Sequence, residues 1–270
     1  MHLIKVVSRK IWFAFSYLRY LLRARSRFRV HSPYIYSLYT DVILDKSSKE
    51  VFTLIEKRRA SLLKQRSLLE ITDFGTGAGK NPYRVRFRQI RSLTRHSSIR
   101  PKYGRLLHRL AGSFQAEEVL EIGTAMGISS MYIASAVPES RMITMEGCAM
   151  IADKAAGNFR KMDMRNIEVD VGSFDLHLEK TLANFNRLDF VFLDGNHRQE
   201  ASMRYFRLIL PKLHPGSVMV IDDIHRSKGM QRAWEKIRDH EKVSISIDLF
   251  RLGIVLFKDD IAKQNFILKY

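Results

Sequence analysis

A doubly wound α/β sheet is the fold class that the larger part of this 270-residue sequence predicts. Three observations carry it. From residue 102 onward short apolar runs alternate with helical stretches, the order that builds parallel strands joined by crossover helices. The runs Val191-Phe192-Leu193 and Val218-Met219-Val220-Ile221 are continuously apolar, as strands covered on both faces are. A glycine-bearing turn follows one such strand and opens directly into a helix.

The elements follow in order. Ile4, Val7, Ile11, Phe15, Leu18 and Leu22 recur at three- and four-residue intervals, which predicts an amphipathic helix. Lys5, Arg9, Lys10, Arg19, Arg23 and Arg25 interrupt it, and the uncharged run 11–18 is far shorter than the ~20 apolar residues of a membrane span. No transmembrane helix or signal peptide is expected, since no long apolar stretch leads to a small-residue cleavage site. Ser32 reads as a helix cap and Pro33 as the first helical residue, with helix over 34–44. A second basic helix covers 49–66, and a domain boundary is placed near residue 100, separating a basic, mainly helical extension (1–100) from the domain at 101–270.

In that domain helix 103–110 leads to strand 119–122, helix 129–136, strand 142–146, helix 151–159 and strand 167–171. Helix 176–182, strand 188–193, helix 201–210, strand 217–221 and helix 229–239 follow. Strands 243–250 and 253–258, turning at Arg251-Leu252, predict a terminal hairpin with one antiparallel strand, seven strands in all.

Composition narrows the function classes. With 46% hydrophobic and 27% charged residues the chain is neither disordered nor fibrous. One cysteine, Cys148, makes neither an internal disulfide nor a Cys-rich zinc site, so a reducing, cytoplasmic location is expected. The formal charge of +18 is lopsided: residues 1–110 hold 25 Lys and Arg against 6 Asp and Glu, residues 111–270 hold 21 against 22. Such a basic face suits nucleic acid, anionic lipid or an acidic substrate, unless it is simply solvated. For residues 1–30 peripheral association with an anionic membrane is one reading, and packing on the protein's own domain the other.

Two glycine clusters compete as ligand loops. Asp73-Phe74-Gly75-Thr76-Gly77-Ala78-Gly79 is not followed by a second strand ending in an acid, so it reads as a turn or hairpin. Glu121-Ile122-Gly123-Thr124-Ala125-Met126-Gly127 has the right context, because the strand after its helix ends at Glu146, 23 positions beyond Gly123. Gly123 and Gly127 allow close backbone approach, the helix start offers N–H groups to a carboxylate, and Glu146 can accept from both hydroxyls of a ribose.

On these residues the chain resembles the class I S-adenosylmethionine-dependent methyltransferases, and within them the catechol and caffeoyl-CoA O-methyltransferases. The carriers are VLEIGTAMGISS, MITMEG, VGSFD, LDFVFLDGNH and GSVMVIDDIH, spread over residues 101–270. The segment HSPYIYSLYTDVI is similar to bacterial members of unassigned substrate. The resemblance implies a Rossmann-like seven-stranded methyltransferase sheet and methyl transfer to an oxygen. It also implies that Gly123, Thr124, Gly127 and Ser129 line the methionine and ribose portion, that Glu146 holds the ribose, and that Ser173 and Phe174 flank the adenine. Glu121 and Asp194 complete the cofactor-binding set.

The reactive end is read from two strand ends, Asp194-Gly195-Asn196-His197 and Asp222-Asp223-Ile224-His225. Three carboxylates at neighbouring strand ends call for a proton or a cation, and a hard divalent ion such as magnesium suits them. The resemblance implies metal ligands at Asp194, Asp222 and Asp223, although the last is commonly Asn in the family. The competing reading has Asp222 and Asp223 cap the next helix. Asp194 and His197 form the expected catalytic pair. His197, where catechol-type enzymes carry a lysine, is a suitable general base, and His225 is its rival.

The expected activity is methylation of a hydroxyl oxygen on a small-molecule acceptor. RNA or DNA methylation is the main alternative, but the chain has Asp194-Gly195-Asn196-His197 where exocyclic amine methyltransferases carry Asn/Asp-Pro-Pro-aromatic, and Cys148 lies on the wrong side for a cytosine nucleophile. A non-catalytic cofactor-binding or membrane-surface adaptor is the other. An NAD dehydrogenase fits less well, because the glycine spacing is not G-x-G-x-x-G.

Overall fold

The computed structural model describes residues 2–72 and 85–270, with side chains from residue 11. The glycine cluster at 73–79 lies outside the described residues.

In chain order the first elements are α1 (His2–Arg23), α2 (Pro33–Ser37), α3 (Glu50–Leu63), the strands β1 (Leu68–Thr72) and β2 (Val85–Gln89), α4 (Ile90–Ser97) and α5 (Pro101–Ser113). The alternating part comprises β3 (Glu118–Ile122), α6 (Ile128–Ala134), β4 (Arg141–Glu146), α7 (Ala149–Lys161), β5 (Ile167–Val171), α8 (Phe174–Leu182), β6 (Leu188–Leu193) and α9 (Gln199–Ile209). It closes with β7 (Leu213–Ile221), α10 (Lys228–Arg238), β8 (Ile245–Asp248), β9 (Gly253–Leu256) and β10 (Gln264–Ile267). No helix among the described residues is long and apolar enough to cross a membrane.

Strands β3 to β10 form one sheet in the order β10-β8-β9-β7-β6-β3-β4-β5. All neighbours are parallel except β9, which runs antiparallel to both β7 and β8. The expected hairpin is therefore present. An eighth strand, β10, joins the edge beside β8, and its short, half-polar stretch Gln264-Asn265-Phe266-Ile267 lacks the apolar run that marks the others.

Alternate side chains of the strands feed two buried clusters, one on each face, as a period-two pleat requires. Leu120, Ile143, Val191, Met219 and Val255 pack with helices α8, α9 and α10. Val119, Met142, Phe190, Phe192, Val218 and Ile254 pack on the other face, and the same cluster contains Ile35, Tyr39, Phe52 and Ile55 from the basic extension.

Within the extension two local expectations change. The Ser32 side chain makes no capping hydrogen bond, and its carbonyl instead accepts the Tyr36 N–H at 2.8 Å. The helix after it widens into a π turn over Leu38–Ile43, with the Leu44 N–H donating to the Tyr39 carbonyl at 2.8 Å. Burial of Ile35, Tyr39 and Ile43 holds this segment where a cap would otherwise be needed. Strands β1 and β2 form an antiparallel pair, Leu68 opposite Gln89, within an extension that is otherwise mainly helical.

Helix α1 is clipped to the sheet edge. Tyr20 Oη donates to the Leu268 carbonyl at 2.6 Å and accepts the Tyr270 N–H at 3.2 Å, while Arg25 bridges β10 through N–H to Ile267 O at 2.8 Å. The Tyr20 ring packs on Phe250, with centroids 5.3 Å apart. Tyr20→Phe keeps that ring and removes the hydroxyl alone, so denaturant unfolding should show a loss of about 1–2 kcal/mol. An unchanged stability would mean that α1 is not docked in this way.

Candidate active site

The sheet reverses its order at β3, whose neighbours β4 and β6 lead away in opposite directions. At such a switch point the loops leaving adjacent strands part and open a crevice beyond their carboxyl ends. Of the expected residues, Ser129 and Phe174 lie in the first turns of α6 and α8, and the others lie at the strand ends or in the loops that leave them.

The loop after β3 is bent over its neighbours by its backbone. The N–H groups of Gly123 and Thr124 both donate to Met145 O at 3.0 Å, and the Gly127 N–H donates to Thr124 O at 2.8 Å. Gly123 has φ +107°, and a Cβ there would lie 2.6 Å from the Asp194 carbonyl oxygen. Gly127 has φ +75°, and its Cβ would meet the Phe159 ring at 2.4 Å. Both glycines are thus required by the chain's own packing as well as by their dihedrals.

Beneath the loop lies a buried polar network. Glu121 accepts hydrogen bonds from Ser130 Oγ and, at 2.6 Å, from Thr144 Oγ1, and Thr144 is in turn 2.7 Å from Thr124 Oγ1. Ser129 stands beside the same carboxyl. Burial outweighs these donors and pushes Glu121 up to about 7. Its Oε1 is buried with no partner.

Glu146 ties the ends of two strands together. One carboxylate oxygen accepts the Ala125 N–H at 2.9 Å and the other the Cys148 N–H at 3.0 Å. Burial raises its pKa against the pull of these backbone donors. Ser173 precedes α8 without capping it through its side chain, and Phe174 lies against Gly195, where a Cβ would come within 2.6 Å of the ring.

At the ends of β6 and β7 the three carboxylates do converge, but their counter-charges come from arginine. Arg251 grips Asp222 with both arms, Nε to Oδ1 at 2.9 Å and Nη2 to Oδ2 at 2.8 Å. Arg226 Nη1 donates to Asp223 Oδ2 at 2.9 Å. Among the described residues no group of three His, Cys, Asp or Glu side chains is arranged to hold a metal ion. In this arrangement Asp222 and Asp223 turn oxygens toward guanidinium groups, whereas Asp194 has no arginine partner among the described residues and stands next to Asp222 and His197. Asp222 caps no helix: α10 begins at Lys228, and Ser227 Oγ accepts the Met230 N–H there.

The pair Asp194 and Asp222 ionises unequally. Burial and the Asp222 charge hold Asp194 well above the usual carboxylate range, whereas for Asp222 the Arg251 pairing overcomes burial and brings it below. His197 Nε2 stands 3.5 Å from Asp194 Oδ1 and 4.0 Å from Asp223 Oδ2. Burial lowers its pKa despite the nearby acids. The rival imidazole, His225, is engaged elsewhere: Nε2 is 2.7 Å from Asp248 Oδ2 and the ring stacks on Phe250.

Two features of the site have no counterpart in the sequence reading. Arg251 reaches Asp222 because the turn between β8 and β9 returns to the carboxyl edge of β7, where Ile221 pairs with Gly253. An arginine in a hairpin turn beside a strand ending in two acids is a signal that topology alone makes legible. Arg58 of α3 donates to Asn158 Oδ1 at 2.6 and 3.1 Å, and Asn158 Nδ2 donates to Met126 O at 2.8 Å, linking the basic extension to the glycine loop.

The chain is similar to known proteins in this region. A family model described as a methyltransferase domain matches residues 120–224. A catechol O-methyltransferase of Mycobacterium tuberculosis is 33% identical over 135 residues, covering 49% of this chain and 60% of that protein. One from Niastella koreensis is 28% identical over 132 residues, covering 48% and 59%. The matches thus span about three-fifths of the length of these curated relatives. The Bacillus cereus O-methyltransferase, solved in complex with SAH, superposes with a TM-score of 0.56 at 20% identity over 82% of this chain and 96% of that one. TomG from Streptomyces achromogenes, solved with SAM, gives 0.56 at 22% over 82% and 95%. The fold, the glycine loop and the matched sequence agree: residues 120–224 match a methyltransferase domain, and this part of the chain is related to the catechol O-methyltransferases.

Proposed function

We propose that this chain methylates a hydroxyl oxygen of a small-molecule acceptor at the crevice between β3 and β6. The observation that carries the reading is the loop pinned by Glu146 through the Ala125 N–H, which keeps an acid and a set of backbone groups facing one crevice. The unpartnered Oε1 of Glu121 suits the cofactor as well, since a buried acceptor without a donor is what the ammonium of an amino-acid moiety satisfies. S-adenosylmethionine, when bound, supplies an electrophilic methyl group on sulfur.

The rest is done by this chain's own residues. Gly123, Thr124, Gly127 and Ser129 line the cofactor, Glu146 accepts from the ribose hydroxyls, and Ser173 and Phe174 border the base. His197 takes the acceptor's proton at Nε2, which has no bond shorter than 3.5 Å to a neighbouring acid and is kept neutral by burial. Asp194 orients it. Arg251 and Arg226 balance the carboxylates, and the crevice holds the reacting atoms in line and away from water.

The relatives named as catechol O-methyltransferases make a catechol the first acceptor to test. Calorimetry with S-adenosylmethionine, followed by assay of S-adenosylhomocysteine formation with hydroxylated acceptors, checks the reading. Failure of the folded protein to bind the cofactor would refute it. Glu146→Ala should weaken cofactor binding by about 1.5–3 kcal/mol.

His197→Ala should lower turnover by roughly 10²–10⁴-fold with cofactor affinity nearly intact. In the parent enzyme the acid limb of the rate profile should lie below the ordinary imidazole value, and the variant should lack it. Exhaustive chelation is expected to leave turnover unchanged, and activity restored only by added magnesium would count against the arginine-paired carboxylates.

Glu121 gives a signature in the cofactor-free protein. Its carboxyl titrates near 4.5 when unfolded and about 7 when folded, so the folded state binds the proton more tightly. Stability is therefore full below pH ~4.5 and falls as pH rises through 7, by about 3 kcal/mol for a shift of this size. Glu121→Gln should abolish that part of the pH dependence in denaturation curves, and parallel curves for the two proteins would reject the assignment.

A further inference from the structure

The apolar stripe of α1 faces away from the protein. Its inner face is Ser16 and Tyr20, continued by Ala24 just past its end, all buried, with Phe13 and Tyr17 stacked edge-on against Phe250 at 5.1 and 4.9 Å. On the opposite side Ile11, Phe15, Leu18 and Leu22 follow one another at helical spacing and are 56–81% exposed. A large apolar row left in water on a helix that is already docked asks for a partner.

The surrounding charge identifies it. Arg19 and Arg23 flank the stripe, and Arg25, Arg27 and Arg29 continue past the helix, all of them exposed. Phe28, among them, is 79% exposed with the Arg27 guanidinium 5.0 Å over its ring. Residues 1–110 carry a formal charge of +19, from 25 basic and 6 acidic residues. A second copy pressed on this face would bring the same cations together, whereas an anionic surface would neutralise them.

We propose that α1 and the segment 24–29 seat the protein on an anionic membrane surface. Ile11, Phe15, Leu18, Leu22 and Phe28 enter the acyl boundary, and the arginines lie among the lipid phosphates. The helix lies in the interface and does not cross it. Because the inner face stays bound to Phe250 and Leu268, seating needs no unfolding of the domain.

The test uses the full chain and vesicles of phosphatidylcholine alone or mixed with phosphatidylserine. Co-sedimentation should require phosphatidylserine and weaken as salt is raised. The double variant Leu18→Gln with Leu22→Gln should reduce partitioning at least about tenfold, since two buried apolar side chains are lost. Arg19→Gln with Arg23→Gln should lower the dependence on phosphatidylserine, and unchanged thermal melting of both variants shows that they fold. Binding that ignores lipid charge, or that survives Leu18→Gln with Leu22→Gln, overturns the proposal. So does a protein that leaves vesicles in solution and sediments as a dimer that the same double variant dissociates, since the stripe would then be covered by a second copy.

Discussion

Two carboxyl groups, the buried Asp222 and the half-buried Asp194, stand side by side at the ends of neighbouring strands, and they cannot both be charged without a cation. Arg251 resolves this by giving Asp222 both of its hydrogen-bonding arms. The solution depends on topology. Only because β9 runs antiparallel to β7 does the β8–β9 turn return to the edge where the acids stand. The sheet order, the hairpin and the ionisation of the crevice are therefore one problem with one answer, and His197, its pKa lowered by burial, is set within it.

The basic extension is part of the same construction. Arg109 holds the carbonyls of Val42 and Ile43 at 2.6 and 3.1 Å, which fixes the π turn on α5. Tyr132 of α6 donates to Glu56 at 2.8 Å, and Glu56 pairs with Arg59. Through Arg58 and Asn158 the third helix reaches the backbone of the glycine loop itself. Side chains that look like surplus positive charge in the sequence thus tie the extension to α5 and α7 and, through Asn158, to the glycine loop.

The alternating strands and helices of residues 118–256 were legible because each buried strand is a short apolar run and each crossover helix repeats at its own period. The glycine loop was legible from context, and Glu146 from its distance to Gly123. Strand β10 was not, since an edge strand with one covered face needs few apolar residues. The role of Arg251 was hidden for a different reason. Its value lies in a pairing across 29 positions of sequence, and nothing local distinguishes it from any arginine in a turn. The carboxylates illustrate the converse: their convergence followed from the strand order, but the guanidinium that pairs with Asp222 comes from a residue outside the motif.

The bond from Tyr20 to Leu268 joins positions 248 apart. During synthesis α1 is made long before β10, and neither of its faces has a partner until the sheet edge exists. Its docking is a late event in folding, one that closes a very long loop and pays the corresponding chain entropy. Cooperative unfolding should then begin from this same seam, with α1 and β10 released together while the parallel strands at the centre of the sheet still hold.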